Sequence, residues 1–91
     1  MDVNAVDMTD FKSINGIGEM ATMDRTGDTK VIWDSKNADE VENAQKQFDT
    51  LVKVKKFAAF AVNKDGTKSE QIRKFDATLE KIIFVPPLAG G

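Results

Sequence analysis

One amphipathic segment near the middle of the chain limits the folds that the chain can adopt. Hydrophobic residues recur there at helical spacing, on one stripe formed by Val41, Ala44, Phe48, Leu51 and Val52. Asn37 and Glu40 have the spacing of a capping box, which marks the start of a helix. Lys53, Lys55 and Lys56 fall in the last turn, where cations favour the negative end of the helix dipole. The sequence therefore predicts one helix between Asn37 and Lys55 that buries one face.

A β-hairpin is predicted before this helix. From Gly18 onward the residues follow the alternating pattern typical of a strand, and residues 25–28 supply turn chemistry. Val31, Ile32 and Trp33 then form a second apolar stretch. We expect Trp33 to lie in the core or to anchor a strand edge, with a position on a partner-binding face as the alternative.

Three strands are predicted after the helix. An apolar run over residues 57–62 ends at an Asn-Lys-Asp-Gly turn, whose Asp-Gly pair suits a tight hairpin. Residues 81–85 form a second apolar run, typical of a buried strand, and two prolines end it because proline lacks the N–H that a strand ladder needs. Between these runs, residues 69–75 are a weaker strand candidate and residues 76–80 a bend or single helical turn. The predicted order is strand, strand, helix, strand, weak strand, strand.

The size and composition of the chain fit one folded unit. Its 91 residues, 41% hydrophobic and 31% charged, suit a single domain with one core rather than a disordered protein. We expect Phe48, Leu51, Phe57 and Phe60 in that core. Residues 1–17 are mostly polar and lack a periodic pattern, so we expect them to form a flexible N-terminal arm.

The charge and the residue content disfavour several classes of function. A formal net charge of -2 and a pI near 5.0 give no general attraction to nucleic acid or to an anionic membrane. The chain contains no cysteine and no histidine, which removes the thiolate nucleophile and the commonest general base and metal ligand. We therefore expect neither an enzyme nor a metal or cofactor site. Because the sequence has no signal-peptide pattern and no apolar run as long as a membrane span, we expect a cytoplasmic protein.

Three weaker motifs have simpler explanations. Four carboxylates near the predicted hairpin are candidate metal ligands: Glu19, Asp24, Asp28 and Asp34. They lack the spacing of an EF-hand loop, so solvated turn carboxylates are favoured. Residues 26–28 lack the Gly-Lys-Ser/Thr ending of a phosphate-binding P-loop, and a hairpin turn explains them. Residues 53–56 are a candidate nucleic-acid patch, but complementarity with the helix dipole is favoured.

The end of the chain carries the most specific motif. Pro86-Pro87 is followed by Leu88, Ala89 and Gly90-Gly91. The prolines keep the exit extended, and the glycines have no Cβ, so the terminal backbone is able to enter a narrow channel. A frayed terminus or an expression scar would explain Gly-Gly alone, but here the pair follows closely on a predicted buried strand. As written, the chain needs no processing protease to expose the Gly91 carboxylate.

Residues 81–91 resemble the ending of the small sulfur-carrier subunit of molybdopterin synthase and of its ubiquitin-like relatives, which finish in a strand, prolines and Gly-Gly. Residues 60–63 are similar to the strand that precedes this ending in those proteins. The resemblance implies an α+β protein of β-grasp type, in which a mixed sheet packs on one main helix. The chain then divides into a flexible arm (residues 1–17), a β-grasp domain (18–87) and a diglycine tail (88–91).

The resemblance also implies what the tail does. An E1-like enzyme would bind Leu88, Ala89, Gly90 and Gly91 in a channel and adenylate the Gly91 carboxylate. Conversion of the adenylate to a thiocarboxylate, with a sulfurtransferase, would make the protein a sulfur carrier. Capture by an enzyme cysteine and transfer to a target amine, with an E2-like enzyme and a JAB-like peptidase as further partners, would make it a protein modifier.

Two questions stay open at the level of sequence. The N-terminal arm and the surface lysines favour protein modification over sulfur transfer, but nothing in the tail itself distinguishes them. The alternative to both is a non-covalent interaction module, such as a small phage or toxin-system protein, in which the tail is incidental.

Overall fold

Five strands accompany a single α-helix in the computed structural model, which describes residues 8–24 and 27–87. In chain order the elements are β1 (Ile17–Asp24), β2 (Gly27–Asp34), α1 (Ala38–Asp49), β3 (Ala58–Val62), β4 (Ser69–Ile72) and β5 (Lys81–Val85). A 3-10 turn, Met8–Phe11, precedes β1, and a π-helical turn, Thr50–Val54, continues α1. The fold class is α+β, and the order of the elements confirms the predicted order.

All five strands belong to one mixed sheet with the order β2-β1-β5-β3-β4. β5 runs parallel to β1, whereas the pairs β1–β2, β3–β5 and β3–β4 are antiparallel. The predicted hairpin is confirmed, because β1 and β2 pair along their whole lengths and Asp24 lies opposite Gly27. β2 therefore begins within the residues that were expected to form the turn.

The helix begins where the capping box predicts. Asn37 is the N-cap, and its side-chain oxygen accepts hydrogen bonds from the backbone N–H groups of Asp39 at 3.1 Å and Glu40 at 3.2 Å. The Glu40 carboxylate accepts from the backbone N–H of Asp34 at 2.9 Å and from the Asn37 side-chain amide at 3.1 Å. Since Asp34 is the last residue of β2, Glu40 also fastens the start of the helix to the sheet.

The end of the helix is wider than an α-helical turn. The N–H of Lys55 donates to the carbonyl of Thr50 at 3.0 Å, and the N–H of Phe57 donates to the carbonyl of Leu51 at 2.9 Å. Lys56 closes the helix in the left-handed region, with φ of 63°. The predicted helix is correct in extent, but its last turn is π-helical and the α-helix proper ends at Asp49.

The core lies between α1 and one face of the sheet. Among the residues whose burial is described, ten hydrophobic ones form it: Phe11, Met20, Trp33, Ala44, Phe48, Ala59, Ala61, Leu79, Ile82 and Phe84. Within it, the Phe48 ring lies 5.5 Å from the Phe84 ring and 5.8 Å from the Phe75 ring, between centroids. Phe48 therefore links the helix both to β5 and to the loop after β4.

Trp33 takes the core position that was expected, rather than a partner-binding face. Its side chain is fully buried, and its ring packs edge-on against Phe75 with a centroid distance of 5.0 Å. The indole N–H donates to the backbone carbonyl of Ala77 at 2.9 Å, so the polar atom is satisfied inside the core.

The segment before β1 packs on the domain, whereas the sequence suggested a flexible arm over residues 1–17. Phe11 is only 4% exposed and belongs to the core. Its carbonyl accepts a hydrogen bond from the N–H of Glu80 at 2.9 Å. One buried aromatic ring supplies enough apolar area to hold a segment that has no periodic pattern. Residues 1–7 lie outside the described part of the chain.

Lys12 and Asp76 fasten this segment to the loop between β4 and β5. Lys12 Nζ donates to Asp76 Oδ2 at 2.9 Å and to Thr78 Oγ1 at 2.7 Å. The backbone N–H and the hydroxyl of Thr78 both donate to Asp76 Oδ1, at 2.9 and 2.5 Å. Partial burial raises the pKa of Asp76, but the hydrogen bonds from Thr78 and Lys12 outweigh it and hold the pKa below its usual value.

Replacing Phe48 with Ala should lower the free energy of unfolding by about 3–5 kcal/mol, since it removes a fully buried ring between helix and sheet. This is a large share of the stability of so small a domain. Val54→Ala is the matched control: Val54 is 73% exposed, and its truncation should change the stability by less than about 0.5 kcal/mol. Urea unfolding measures both changes, and equal losses would contradict the assigned core.

Acid should loosen the contact between Lys12 and Asp76. The folded state lowers the pKa of Asp76, so the charged carboxylate stabilises the fold at any pH above the usual carboxyl pKa. This stabilisation is lost as the pH falls through the lowered pKa, below about pH 4. Hydrogen exchange of the Glu80 N–H, which bonds to Phe11, reports on this contact. Its protection should fall below about pH 4 in the native protein and stay nearly constant across that range in Asp76→Asn.

Asp65 provides the control for this experiment. Hydrogen bonds from Thr67 lower the pKa of Asp65 as well, but Asp65 lies in the turn between β3 and β4, and the hydrogen bonds of its carboxylate described here stay within that turn. Asp65→Asn should therefore leave the exchange profile of Glu80 unchanged. If Asp65→Asn altered that profile as much as Asp76→Asn, the effect would be a general one of acid on the fold.

Candidate functional site

The predicted tail follows β5 along the chain, and β5 is the central strand of the sheet. β5 lies between β1 and β3, and its last residue, Val85, is opposite Ala58, the first residue of β3. Pro86 and Pro87 follow, both exposed, and neither has an N–H with which to extend the ladder. The chain therefore leaves the sheet beside the beginning of β3.

The residues assigned to the function of the tail all lie outside the described part of the chain: Leu88, Ala89, Gly90 and Gly91. Conjugation or thiocarboxylation at Gly91, and recognition of the four residues in an enzyme channel, stay predictions. The structure does describe the strand that precedes the tail, β5, and the two strands that pair with it, β1 and β3.

The side chains of β5 alternate between the two faces of the sheet. Ile82 and Phe84 are fully buried on the face that α1 covers. Ile83 lies on the opposite, open face, where the register places Ala21 of β1 on one side of it and Phe60 of β3 on the other. These three half-buried residues form an apolar row across the centre of the open face.

Phe60 was expected in the core, and this expectation was wrong. Ala59 and Ala61 are the buried residues of β3, so strand alternation directs Phe60 to the other face. The expectation was based on the size of the side chain and not on the alternation of side chains along the strand. Leu51 and Phe57 do pack against the core, as expected, although both are only partly buried.

The apolar row was not foreseen from the sequence, although a signal for it was present. In residues 81–85 the period of two places Ile83 on the face opposite Ile82 and Phe84. A continuous apolar run conceals this division, because it suggests a strand that is covered on both faces. The partly exposed Val85, at 46%, shares the open face with Ile83.

A second apolar surface lies at the other end of the sheet from the tail. Three exposed isoleucines, Ile14, Ile17 and Ile32, line a groove of about 440 Å³ at the beginning of β1. Lys64 and Glu80, whose charged atoms are 4.0 Å apart, form part of its polar wall. The groove is thus separate from the place where the chain leaves β5.

The described residues do not form a metal site or a membrane-spanning helix. Within residues 8–24 and 27–87, no three His, Cys, Asp or Glu side chains are grouped so as to hold a metal ion. In the same part of the chain, no helix is long and apolar enough to cross a membrane. Every buried polar side-chain atom described here has a hydrogen-bond partner.

Comparisons of the chain with protein-family models, with curated proteins and with solved structures find no match. A functional assignment therefore depends on the topology of the sheet and on the residues of the chain itself.

The two faces of the sheet should respond differently to the loss of a phenylalanine. Phe84→Ala removes a fully buried ring and should cost about 3–5 kcal/mol of unfolding free energy. Phe60→Ala, on the neighbouring strand but on the open face, should cost about 1 kcal/mol. Urea unfolding of both variants is the measurement. A larger loss for Phe60→Ala would mean that the open face is covered.

Proposed function

We propose that the protein is a ubiquitin-like modifier or a sulfur carrier of β-grasp type, which works through the carboxylate of Gly91. The observation that supports this most is the position of β5: the strand before the tail is the central strand of a mixed sheet packed on one helix. A β-grasp protein that ends in strand, prolines and Gly-Gly requires this layout. The proposal takes Gly91 as the terminal residue of the working form.

The central position of β5 gives the tail a fixed base. β5 is hydrogen-bonded to a strand on each side, and its buried residues Ile82 and Phe84 anchor it beneath α1. A partner is then able to draw the chain beyond Pro87 into a channel without displacing the strand. Withdrawing β5 would expose two large core side chains, at a cost of several kcal/mol.

The proposed activation step uses the carboxylate as a nucleophile. An oxygen of the Gly91 carboxylate attacks the α-phosphorus of ATP within an E1-like enzyme, and the bond from that phosphorus to the pyrophosphate leaving group breaks. The products are a mixed carboxylic–phosphoric anhydride and pyrophosphate. The anhydride is a far better electrophile than the carboxylate, because AMP is a good leaving group. In this reaction the protein is a substrate rather than a catalyst.

Two fates of the adenylate define the two branches of the proposal. A sulfur nucleophile delivered by a sulfurtransferase displaces AMP and leaves a thiocarboxylate on Gly91. Alternatively, an enzyme cysteine displaces AMP to form a thioester, and a target amine then displaces that cysteine to form an isopeptide bond. An E2-like enzyme would carry the thioester, and a JAB-like peptidase would reverse the conjugation.

One observation favours a second candidate function. The apolar row formed by Ala21, Ile83 and Phe60 is half-buried and lies on the open face of the sheet, as expected of a surface that contacts another protein. In this candidate the protein is a non-covalent interaction module and its tail is incidental. The two functions differ in whether the activity of the protein requires the tail.

The proposal is tested by incubating the protein with ATP, magnesium and each adenylating enzyme encoded in the same genome. We expect pyrophosphate release that depends on Gly91. Deleting Gly90-Gly91 removes the aligned carboxylate, and Gly91→Ala adds a Cβ in the channel, so both changes should lower the rate at least about tenfold. Lys36→Ala, an exposed residue far from β5 along the chain, is the control and should react normally.

Mass spectrometry of the protein recovered from its host then distinguishes the branches. A thiocarboxylate replaces one terminal oxygen with sulfur, whereas a modifier leaves a branched Gly-Gly peptide on a target amine. Circular dichroism should show that the tail variants fold like the native chain. If the chain without Gly90-Gly91 performs its cellular role as well as the full chain, the activation proposal fails and the interaction module replaces it.

A further inference from the structure

The positive charges of the described residues differ in whether they make ion pairs. Five lysines make ion pairs with carboxylates: Lys12, Lys30, Lys46, Lys64 and Lys68. Lys36, Lys81 and five further cations make no ion pair among the described residues. These five form a second group near the end of the helix and after β4: Lys53, Lys55, Lys56, Arg73 and Lys74. The protein as a whole is acidic, so this second group is a local departure from its overall charge.

Three of these unpaired cations converge on one groove. Lys53 lies on the helix side, and Arg73 and Lys74 lie on the loop after β4, around a space of about 450 Å³. We call this space the basic groove. Phe75 forms part of its wall; the ring is half-buried and held by its edge-on packing against Trp33.

The basic groove also contains hydrogen-bonding groups of the opposite kind. Gln45 and Asp49 line it from α1, one helical turn apart, and their side chains are within 3.4 Å of each other. An Asp carboxylate accepts hydrogen bonds from N–H groups and repels phosphates. A peptide has backbone N–H groups to offer to Asp49 and acidic side chains to offer to Arg73 and its neighbours. A nucleic-acid strand has a negative backbone throughout.

We infer that the basic groove binds an acidic, extended peptide segment of a protein partner. The partner's carboxylates pair with Lys53, Arg73 and Lys74, its backbone N–H groups meet the Asp49 carboxylate, and an apolar side chain packs on Phe75. The cations are exposed, so they contribute mainly to the rate and the specificity of association. Affinity therefore falls as salt increases.

The position of the basic groove relates it to the tail. Ile72, the residue before Arg73, lies opposite Ala59, and the neighbouring residue Ala58 lies opposite Val85, where β5 ends. The loop that carries Arg73 therefore begins at the end of the sheet from which the tail leaves. A partner that takes the tail would reach the basic groove as well. That one partner binds both the tail and the basic groove rests on the proposed function. The binding of an acidic segment in the groove does not.

The inference is tested by titrating the ¹⁵N-labelled full chain with hexaglutamate, in about 20 mM and about 200 mM salt, and following the amide shifts by NMR. We expect shifts at residues 45–56 and 71–76 that are much weaker at the higher salt. The double variant Lys53→Glu, Arg73→Glu should raise the Kd at least about tenfold. The neutral version with Gln at both positions should have an intermediate effect and guards against misfolding of the charge-reversed chain.

A matched control has the same change in charge elsewhere. Lys30→Glu with Lys36→Glu alters two exposed lysines outside residues 45–56 and 71–76, and should change the Kd by less than about twofold. The chain without Gly90-Gly91 should bind hexaglutamate as tightly as the full chain, so the result stands whether or not the tail is activated.

Three results would overturn the inference. One is the absence of shifts at millimolar peptide, and another is an equal loss of binding in the control variant, which would mean unspecific attraction to lysines. The third is tighter binding at residues 45–56 and 71–76 by an oligothymidylate of similar charge, which would make a nucleic-acid strand the occupant.

Discussion

The parallel pairing of β5 with β1 is the contact on which the rest of the domain depends. It joins the first strand of the sheet to the last, with Met20 opposite Ile82, and a parallel pair cannot be closed by a tight turn, so the chain between them must cross over the sheet. The helix provides most of that crossover and covers the same face with Phe48. β3 then fits against the free side of β5 and makes it central. The core, the open face and the central position of β5 all follow from this one pairing.

One face of the sheet is buried against the helix and the other is open, and the size of a side chain does not predict on which face it lies. On β3 the small residues Ala59 and Ala61 face the helix, which leaves room for the rings of Phe48 and Phe84. Phe60, the largest side chain of this strand, therefore lies on the opposite face, where it joins Ile83 in the apolar row. The surface available to partners is in this sense a consequence of how the core is filled.

Local signals predicted the helix and most of the strands, while contacts between distant residues escaped prediction. The stripe around Phe48 and the cap at Asn37 depend on spacing alone, so the sequence displays them. Leu79 and Phe11 are isolated apolar residues, and nothing in their neighbourhoods indicates that they are buried together in one core. The apolar row depends on strand register, which spacing within a single strand does not determine. The proposed function of Gly91 rests on resemblance, and the tail residues lie outside the described part of the chain.

Lys56 is the place where the chain departs most clearly from local preference. Its φ of 63° is the left-handed conformation that glycine adopts freely and that costs other residues about 1 kcal/mol or more. A glycine would end the π-helical turn and let Phe57 bond back to Leu51 equally well. A lysine adds a positive charge two residues before β3, at the end of the sheet where the tail leaves. Local departures of this kind are expected at functional surfaces, and this one belongs to the same group of unpaired cations as the basic groove.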